Sequence, residues 1–178
     1  MVVPHELYTS SRGDSFGRVL STIFSKMKIA LPLAEATRLA NEFGKKLGKK
    51  YVVAGSIRRR VPTVGDVDLM YYGDARDAAD VKGAVATETG PSRTTVIYRG
   101  TQFNVYRAEP EYDGPMLLFA TGGKTENIIM RSVAKKRGMK LSQFGLFDRD
   151  TDERLDDNTE RGIYRMVGVT YRDPEDRR

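Results

Sequence analysis

Apolar residues recur at helical spacing in several stretches of the chain. One pattern runs from Asp14 to Met27, with its first residue as the candidate N-cap, and a second begins at Pro32 and continues to about Leu47, where Gly48 ends it. Proline is favoured in a first helical turn and glycine just after a last one. Both segments are therefore predicted to be α-helices, the first of them within an N-terminal extension of residues 1–29.

A third helix is predicted after the break Thr121-Gly122-Gly123, which follows a short apolar run at residues 116–120. This helix continues to about Lys136. One of its faces is predicted to be a buried stripe, formed by Ile129, Met130 and Val133. Another face carries polar residues spaced by four, namely Asn127, Arg131 and Lys135.

Period-two patterns rich in β-branched and aromatic residues predict strands. The four strands are Tyr51–Ala54, Asp66–Tyr72, Arg93–Tyr98 and Thr101–Arg107. The last two flank an Arg99-Gly100 turn and are predicted to form a hairpin. Because side chains alternate along a strand, Phe103 and Val105 face one way, whereas Gln102, Asn104 and Tyr106 face the other.

Two shorter helices complete the predicted elements. One runs from about Ala75 to Thr87 after the candidate cap Asp74, and the other lies near residues 159–167. Together the elements predict an α/β lobe over residues 30–115 and a smaller lobe of helices and strands over residues 116–178.

Composition limits the classes of protein to which the chain can belong. Hydrophobic residues make up 39% and charged residues 30%, as in an ordinary globular protein, and no apolar run approaches the length of a membrane span. His5, Glu6 and Arg12 interrupt any secretory signal, so an intracellular protein is expected. With no cysteine and one histidine, any bound metal must be held by oxygen ligands.

The formal net charge is +6, and the basic residues are concentrated in one segment. Residues 124–140 contain six cations against the single acid Glu126, and these cations are Lys124, Arg131, Lys135, Lys136, Arg137 and Lys140. Acidic residues cluster around residues 148–160 instead. Two interpretations remain open, a solvated helix face and a surface for the phosphates of a nucleic acid.

The strongest chemical signal lies in residues 55–68. A Gly55-Ser56 turn followed by arginines is suited to cradle phosphate, and Asp66 and Asp68 follow a second glycine, Gly65. Side chains two apart on a strand share a face, so these carboxylates converge and require a cation such as Mg²⁺ between them. An Asp-x-Asp pair alone is usually solvated, but its spacing from the phosphate cradle favours a metal site for nucleotidyl transfer.

Four motifs in a fixed order carry a resemblance. They are Gly55-Ser56-x-Arg58-Arg59 with Gly65-Asp66-Val67-Asp68; the strand of residues 102–107; Leu118-Phe119-Ala120-Thr121-Gly122 with Asn127 and Met130-Arg131; and residues 171–177. At these residues the chain resembles a family X DNA polymerase of the nucleotidyltransferase superfamily. The resemblance covers residues 30–177, and the chain resembles the truncated viral form of the family. It implies an α+β fold, with a palm built on a mixed sheet and a C-terminal lobe. It also implies that the chain has no lyase activity.

The resemblance also implies roles at the nucleotide. Ser56, Arg59 and Gly65 match positions that hold the triphosphate, and Asp66 and Asp68 match ligands of two Mg²⁺ ions, for which Mn²⁺ would substitute. Residues matching the nucleotide's sugar and base contacts are Phe119, Ala120, Gly122 and Asn127. On the residues alone, Phe119 could equally be a core side chain.

The remaining implied contacts are with DNA. Arg131 matches a template contact, and Lys135, Lys136 and Lys140 belong to the same basic segment. The implied partners are gapped or primer–template DNA and a dNTP, with the protein acting as a monomer, in a setting that includes virus-infected cells. Arg58 and Arg60 are expected to give only electrostatic support.

Two positions depart from the family pattern. Asn104 stands where the family carries its third catalytic aspartate, and an amide cannot accept a proton. Either the site is naturally degenerate or an engineered substitution has been made; the intact motifs elsewhere favour the second explanation. Ala120 replaces an aromatic ring, which predicts weaker rejection of ribonucleotides. Three functions therefore compete: an impaired gap-filling polymerase, a catalytically inactive DNA- and nucleotide-binding protein, and a nucleotidyltransferase acting on another acceptor.

Overall fold

The structure, a computed structural model, describes residues 30–177. The predicted N-terminal extension and its helix from Asp14 to Met27 lie outside the described residues. The first described elements are the two-residue strand β1 (Leu31–Pro32) and helix α1 (Leu33–Lys46). The helix begins one residue after its predicted start at Pro32, which is its N-cap. Gly48 follows its last turn with a φ of +80°, a conformation that glycine adopts without strain.

A five-stranded sheet forms the centre of the molecule. Its strands are β2 (Tyr51–Val53), β4 (Asp66–Tyr71), β5 (Ala84–Glu88), β6 (Arg93–Tyr98) and β7 (Thr101–Arg107), in the order β2-β4-β7-β6-β5. Strands β4 and β7 are parallel, while every other neighbouring pair is antiparallel. The sheet is therefore mixed, as expected. Between β2 and β4 lie the short helix α2 (Gly55–Arg58) and β3 (Thr63–Val64), which pairs with β1.

The helix predicted over Ala75–Thr87 is wrong in its second half. Asp74 does cap a helix by accepting from the Arg76 amide at 2.9 Å, but only a 3₁₀ helix, Ala75–Asp80, follows. The chain turns at Gly83 and residues Ala84–Glu88 become an edge strand paired with β6. Alanine-rich sequence has helical propensity, and pairing with an available sheet edge overrides it here.

One face of the sheet packs against α1 and forms the main core. Residues of α1, β4, β6 and β7 contribute to it, and at its centre the ring centroids of Phe43 and Phe103 are 4.4 Å apart. Tyr98 contacts both rings edge-on. The odd-numbered residues of β4 and β7 face this core, so their even-numbered residues face the opposite side.

Helices dominate the C-terminal part. It contains α3 (Asp113–Thr121), α4 (Lys124–Lys136), the hairpin of β8 (Met139–Ser142) and β9 (Gly145–Asp148), and α5 (Glu160–Val167). Short 3₁₀ turns precede α3 and follow α5, at Pro110–Tyr112 and Pro174–Asp176. A second core joins these elements around Leu118, Met130 and Ile163.

The buried stripe predicted on α4 is partly wrong. Met130 is fully buried and Val133 is partly buried, but Ile129 is 43% exposed. The helix packs through Glu126, Met130 and Ala134, which are spaced by four. Ile129 lies about 100° round the helix from Met130 and so points away from that seam.

A third apolar group joins the two parts of the molecule. Small and flexible side chains from the sheet side, Ala54, Met70 and Ala108, pack against Met116 and Ala120 of α3. Helix α3 therefore packs against the Met70 end of the sheet face opposite the main core. No helix within residues 30–177 is both long enough and apolar enough to cross a bilayer.

Candidate active site

The predicted carboxylates come together through the parallel pairing of β4 and β7. In that register Asp68 lies opposite Asn104, and Asp66 lies opposite Gln102. Alternation along both strands places all four side chains on the sheet face opposite the main core. The two carboxylates and Asn104 thus share one half-buried surface, as the sequence predicted.

Asn104 is held by three hydrogen bonds. Its side-chain nitrogen donates to Asp68 Oδ1 at 3.0 Å, and its oxygen accepts from Gln102 Nε2 at 3.0 Å and from Thr95 Oγ1 at 3.3 Å. Only 9% of Asn104 is exposed. The amide therefore presents its nitrogen, rather than its oxygen, to the carboxylate pair.

The Gly55-Ser56 turn packs directly onto Asp68. Gly55 has a φ of +59°, and a Cβ atom at this position would lie 2.1 Å from Asp68 Oδ2. The Asp68 carbonyl accepts from the Ala54 amide at 2.9 Å, and Ser56 Oγ lies 3.5 Å from the Asp66 carbonyl oxygen. Only glycine satisfies both the backbone conformation and this close approach, which explains its place in the motif.

Arg59 lies between the carboxylates and the C-terminal part. Burial lowers the pKa of its guanidinium, while the charges of Asp68 and Asp66 oppose that change. Its Nη1 donates to the Thr121 carbonyl, and a Cβ atom on Gly122 would lie 3.0 Å from that nitrogen. Gly122 is thus a close backbone neighbour of Arg59.

Arg58 points towards a different partner. Its Nη1 donates to Thr121 Oγ1 at 2.6 Å, and its two terminal nitrogens bind the two carboxylate oxygens of Glu160 at 3.0 and 2.6 Å. Glu160 also accepts from Arg177 Nη1 at 2.5 Å. Burial would raise the pKa of Glu160, but the hydrogen bonds from Arg58 and Arg177 outweigh it and hold that pKa below its ordinary value.

Phe119 connects the sheet face to α4. Its ring stands edge-on to Tyr106 with the centroids 5.7 Å apart, and the Arg131 guanidinium carbon lies 5.5 Å from the Phe119 centroid. Asn127 Nδ2 donates to the Phe119 carbonyl at 3.0 Å. Burial, together with the charge of Asp68, raises the pKa of Tyr106 to about 12, so its phenol is neutral.

Comparisons with known proteins show what the chain is similar to. Residues 116–178 match the family model described as DNA polymerase beta thumb. Repair DNA polymerase X of African swine fever virus is 28% identical over 158 residues, a match that covers 79% of this chain and 91% of the viral protein. The DNA polymerase/3′-5′ exonuclease PolX of Bacillus subtilis is 30% identical over 160 residues, which cover 81% of this chain.

These matches identify the family X DNA polymerases as the proteins that this chain resembles. Within that family it resembles the short viral form, whereas it spans only 28% of the length of the Bacillus protein.

Solved structures show the same fold. Leishmania infantum polymerase beta in a ternary gap complex aligns with a TM-score of 0.78 at 22% identity, covering 94% of this chain and 77% of that one. The same protein in a ternary P/T complex gives 0.77 at 21% identity, covering 95% and 84%. These matches confirm the expected α+β fold.

The donor set fits a divalent cation in part. Asp66 and Asp68 supply the carboxylate oxygens that Mg²⁺ prefers, and the missing Cβ of Gly55 leaves Asp68 Oδ2 room beside the turn. Asn104 offers no oxygen, since Gln102 and Thr95 already occupy it. Within residues 30–177, no group of three or more His, Cys, Asp or Glu side chains is arranged to hold a metal ion.

Other residues singled out in the sequence lie around this centre. Gly65 connects β3 to β4 directly before Asp66, and Ala120 is buried in the third apolar group. Lys135 and Lys136 are exposed at the end of α4. Lys140 lies on β8 instead, where its Nζ is 3.8 Å from Asp152 Oδ1.

Sequence reasoning missed several residues that the structure brings to the site. Thr121 accepts from both arginines of the phosphate cradle, and Glu160 joins Arg58 to Arg177 from a position 102 residues away. No local pattern could have indicated that ion pair. The positions of Gln102 and Tyr106 at the site could have been predicted, because strand alternation already placed both on the face of Asn104.

Proposed function

We propose that this chain is a template-directed DNA polymerase that adds a dNMP to the 3′-hydroxyl of a primer in gapped DNA, and that Asn104 impairs this activity. Within this proposal, residues 30–115 form the nucleotidyltransferase palm and residues 116–178 form the lobe that contacts the nucleotide and the template. The viral relative carries the name repair DNA polymerase X, and the Leishmania protein was solved with gapped and primer–template DNA.

One observation carries the proposal. Asp66, Asp68 and Asn104 share one surface of two parallel strands, directly beside the Gly55-Ser56 turn and Arg59. A phosphate cradle adjoining a pair of carboxylates provides the two functions that nucleotidyl transfer requires. The cradle would bind an anionic triphosphate, and the carboxylates would hold divalent cations at the point where the primer hydroxyl must attack.

Each residue then has a defined task. Arg59 and the Ser56 hydroxyl bind triphosphate oxygens, which compete with the Thr121 carbonyl for the Arg59 guanidinium. The Gly65 amide and the Gly122 backbone approach the phosphates because neither residue has a side chain. Phe119, beside Ala120, contacts the nucleotide sugar, and Asn127 contacts the incoming base. Arg131 contacts the template strand. The phosphates of DNA bind the remaining cations, Lys135, Lys136 and Lys140.

Asp66 and Asp68 would hold Mg²⁺ together with the nucleotide. When bound, the two ions proposed here supply Lewis acidity that lowers the pKa of the primer hydroxyl and balances the charge of the triphosphate. An aspartate at residue 104 would add a carboxylate and a proton acceptor at the primer side. Asn104 supplies neither, and loss of a general base reduces a rate by about 10²- to 10⁴-fold.

A second function is favoured by the orientation of Asn104. Because its nitrogen donates to Asp68, the amide satisfies one carboxylate without any cation. This arrangement suits a protein that binds DNA and nucleotides without transferring a nucleotidyl group. The exposed cations of α4 are retained in that case, since binding still requires them.

Primer extension on a duplex with a one-nucleotide gap tests both functions. We expect little extension by the parent chain with Mg²⁺ or Mn²⁺, and extension at least about 10²-fold faster by Asn104→Asp. Asn41→Asp, which introduces the same charge on α1, should remain as slow as the parent. Gel-shift binding to the same duplex is measured in parallel.

The outcomes separate the candidate functions. If Asn104→Asp binds gapped DNA tightly but does not extend the primer, the polymerase assignment fails and the binding function stands. If neither protein binds DNA, both functions fail, and a nucleotidyltransferase with another acceptor becomes the remaining alternative.

A further inference from the structure

A cleft of about 450 Å³ lies beside the candidate active site, and neither Asp66 nor Asp68 lines it. It lies between the ends of β6 and β7 and the turn that joins β8 to β9. Arg93, Tyr106 and Arg107 line it from the sheet side, and Tyr112, Phe119 and Phe144 line it from the other. Its volume is in the range of pockets that hold one small organic ligand.

The cleft walls are rich in aromatic rings. Phe144 stands edge-on to Tyr112 with the centroids 5.3 Å apart, and Tyr106 stands edge-on to Phe119 at 5.7 Å. Phe144 is also 46% exposed although it is a large apolar side chain. An exposed phenyl ring at the mouth of an aromatic cleft offers a stacking surface for a planar group.

Two guanidinium groups add positive charge at the sheet side. Arg93 pairs with Glu88, and Arg107 Nη2 lies 2.6 Å from Glu109 Oε1. Both arginines are about half exposed, so their ion pairs are weak and can be exchanged for another anion at little cost. The combination of aromatic rings with exchangeable cations is typical of sites for single-stranded nucleic acid.

We propose that this cleft receives one unpaired base of the DNA template strand. The base stacks on the exposed ring of Phe144, and the adjoining phosphates bind Arg93 and Arg107. The inference rests on the proposed function and extends it by giving the unpaired template a path away from the active site.

The position of Phe119 identifies the strand. One side of its ring belongs to the cleft, and its other contacts are Arg131 and Asn127 of α4. A strand that crosses Arg131 therefore reaches the cleft at Phe119. The cleft is too small for a base pair with both backbones, so it fits an unpaired base rather than a duplex.

Fluorescence of 2-aminopurine provides the test. The probe is placed at the first unpaired template position of a primer–template duplex, and in separate duplexes at a paired template position and at the primer terminus. The chain has no tryptophan, so the probe can be excited without protein emission. With the parent protein bound, we expect stacking to quench the unpaired template probe several-fold and to leave the other two probes nearly unchanged.

Phe144→Ala should abolish that quenching and weaken binding of the duplex with an unpaired template by about tenfold. Arg107→Ala should weaken the same binding and leave binding of a blunt duplex unchanged. Met166→Ala serves as the matched control, since Met166 is an equally exposed apolar side chain on α5. It should bind and quench like the parent.

Each contrary result has a separate meaning. Unchanged quenching in Phe144→Ala, or quenching of the primer-terminal probe instead, overturns the proposed cleft occupant while the polymerase proposal stands. If the parent binds none of the three duplexes, the proposed function fails together with this inference.

Discussion

The side-chain nitrogen of Asn104 donates to Asp68 Oδ1 over 3.0 Å, so an amide lies where two neighbouring carboxylates would repel each other. The contact stabilises the site without a cation, because a neutral donor satisfies an oxygen that would otherwise face another negative charge. The residue that weakens the proposed chemistry is therefore expected to strengthen the fold.

Asn104→Asp should make stability depend on Mg²⁺. The substitution removes the hydrogen bond to Asp68 and brings a third carboxylate to the surface that holds Asp66 and Asp68. We expect the melting temperature in a chelator to fall by several degrees relative to the parent, which corresponds to about 1–2 kcal/mol. Added Mg²⁺ should restore more stability to the variant than to the parent, as measured by differential scanning calorimetry. Equal responses of both proteins would contradict a cation site here.

Gly55→Ala should lower the free energy of unfolding by more than the strained backbone conformation alone would, because the added methyl group also collides with Asp68. The new methyl group would lie 2.1 Å from Asp68 Oδ2, and a side chain at a φ of +59° costs about 1–2 kcal/mol. Gly48→Ala is the matched control, because its φ is +80° and nothing lies within 4 Å of the added carbon. Urea denaturation should show a larger loss of stability for Gly55→Ala. A similar loss in both variants would mean that Asp68 moves aside without cost.

Glu160→Gln should be strongly destabilising, because it leaves the guanidiniums of Arg58 and Arg177 near a neutral amide. Loss of one partner from a buried ion pair costs about 3–5 kcal/mol. Hydrogen bonds from Arg58 and Arg177 hold the pKa of Glu160 below its ordinary value, against the effect of burial. Its contribution to stability is therefore complete above the ordinary pKa of a glutamate and is lost as the pH falls through the lowered pKa. The stability difference between parent and variant should be constant from pH 7 to about pH 5 and shrink below pH 4.5.

Equilibrium unfolding across pH 3–7 measures this dependence. Glu153→Gln, an exposed position in the loop after β9, is the control and should change stability by less than about 0.5 kcal/mol at every pH. A Glu160→Gln difference that persists unchanged at pH 3 would show that the ion pairs contribute little.

Arg131→Ala should reduce the salt dependence of DNA binding. Arg131 is exposed on α4, and if it contacts a phosphate its removal lowers the slope of log affinity against log salt by about one. Arg165→Ala removes the same charge from α5, where the arginine pairs with Asp157 at 2.8 Å, and should leave the slope unchanged. Titrations of a gapped duplex at several salt concentrations distinguish the two. Equal slopes for both variants would remove Arg131 from the proposed DNA surface.

Local patterns in the sequence were sufficient to predict most strands of the sheet and the position of the carboxylate pair. The hairpin of β6 and β7 was predicted with its bounds, and strand alternation placed Asp66, Asp68 and Asn104 on one surface. These features depend on neighbours along the chain. The strand Ala84–Glu88 was missed because its conformation is set by the sheet edge it joins, not by its own residues.

Long-range contacts could not be predicted in the same way. Nothing near Arg58 indicates that Glu160 will be its partner, and nothing near Ile129 indicates that α4 packs through Met130 and leaves Ile129 outside. Both depend on how the C-terminal elements fold back on the sheet. The direction of the Asn104 amide likewise depends on Gln102 and Thr95 together, which lie on two different strands.

The anchoring of neighbouring arginines to one threonine has a mechanical consequence. Arg58 donates to the Thr121 hydroxyl and Arg59 donates to the Thr121 carbonyl, at the C-terminal end of α3. An anion that binds Arg59 would break its hydrogen bond to Thr121, while the hydrogen bond from Arg58 persists. Binding of a ligand at the cradle would thereby loosen the junction between α3 and α4. Through Thr121 alone, ligand binding would then affect the C-terminal part of the molecule.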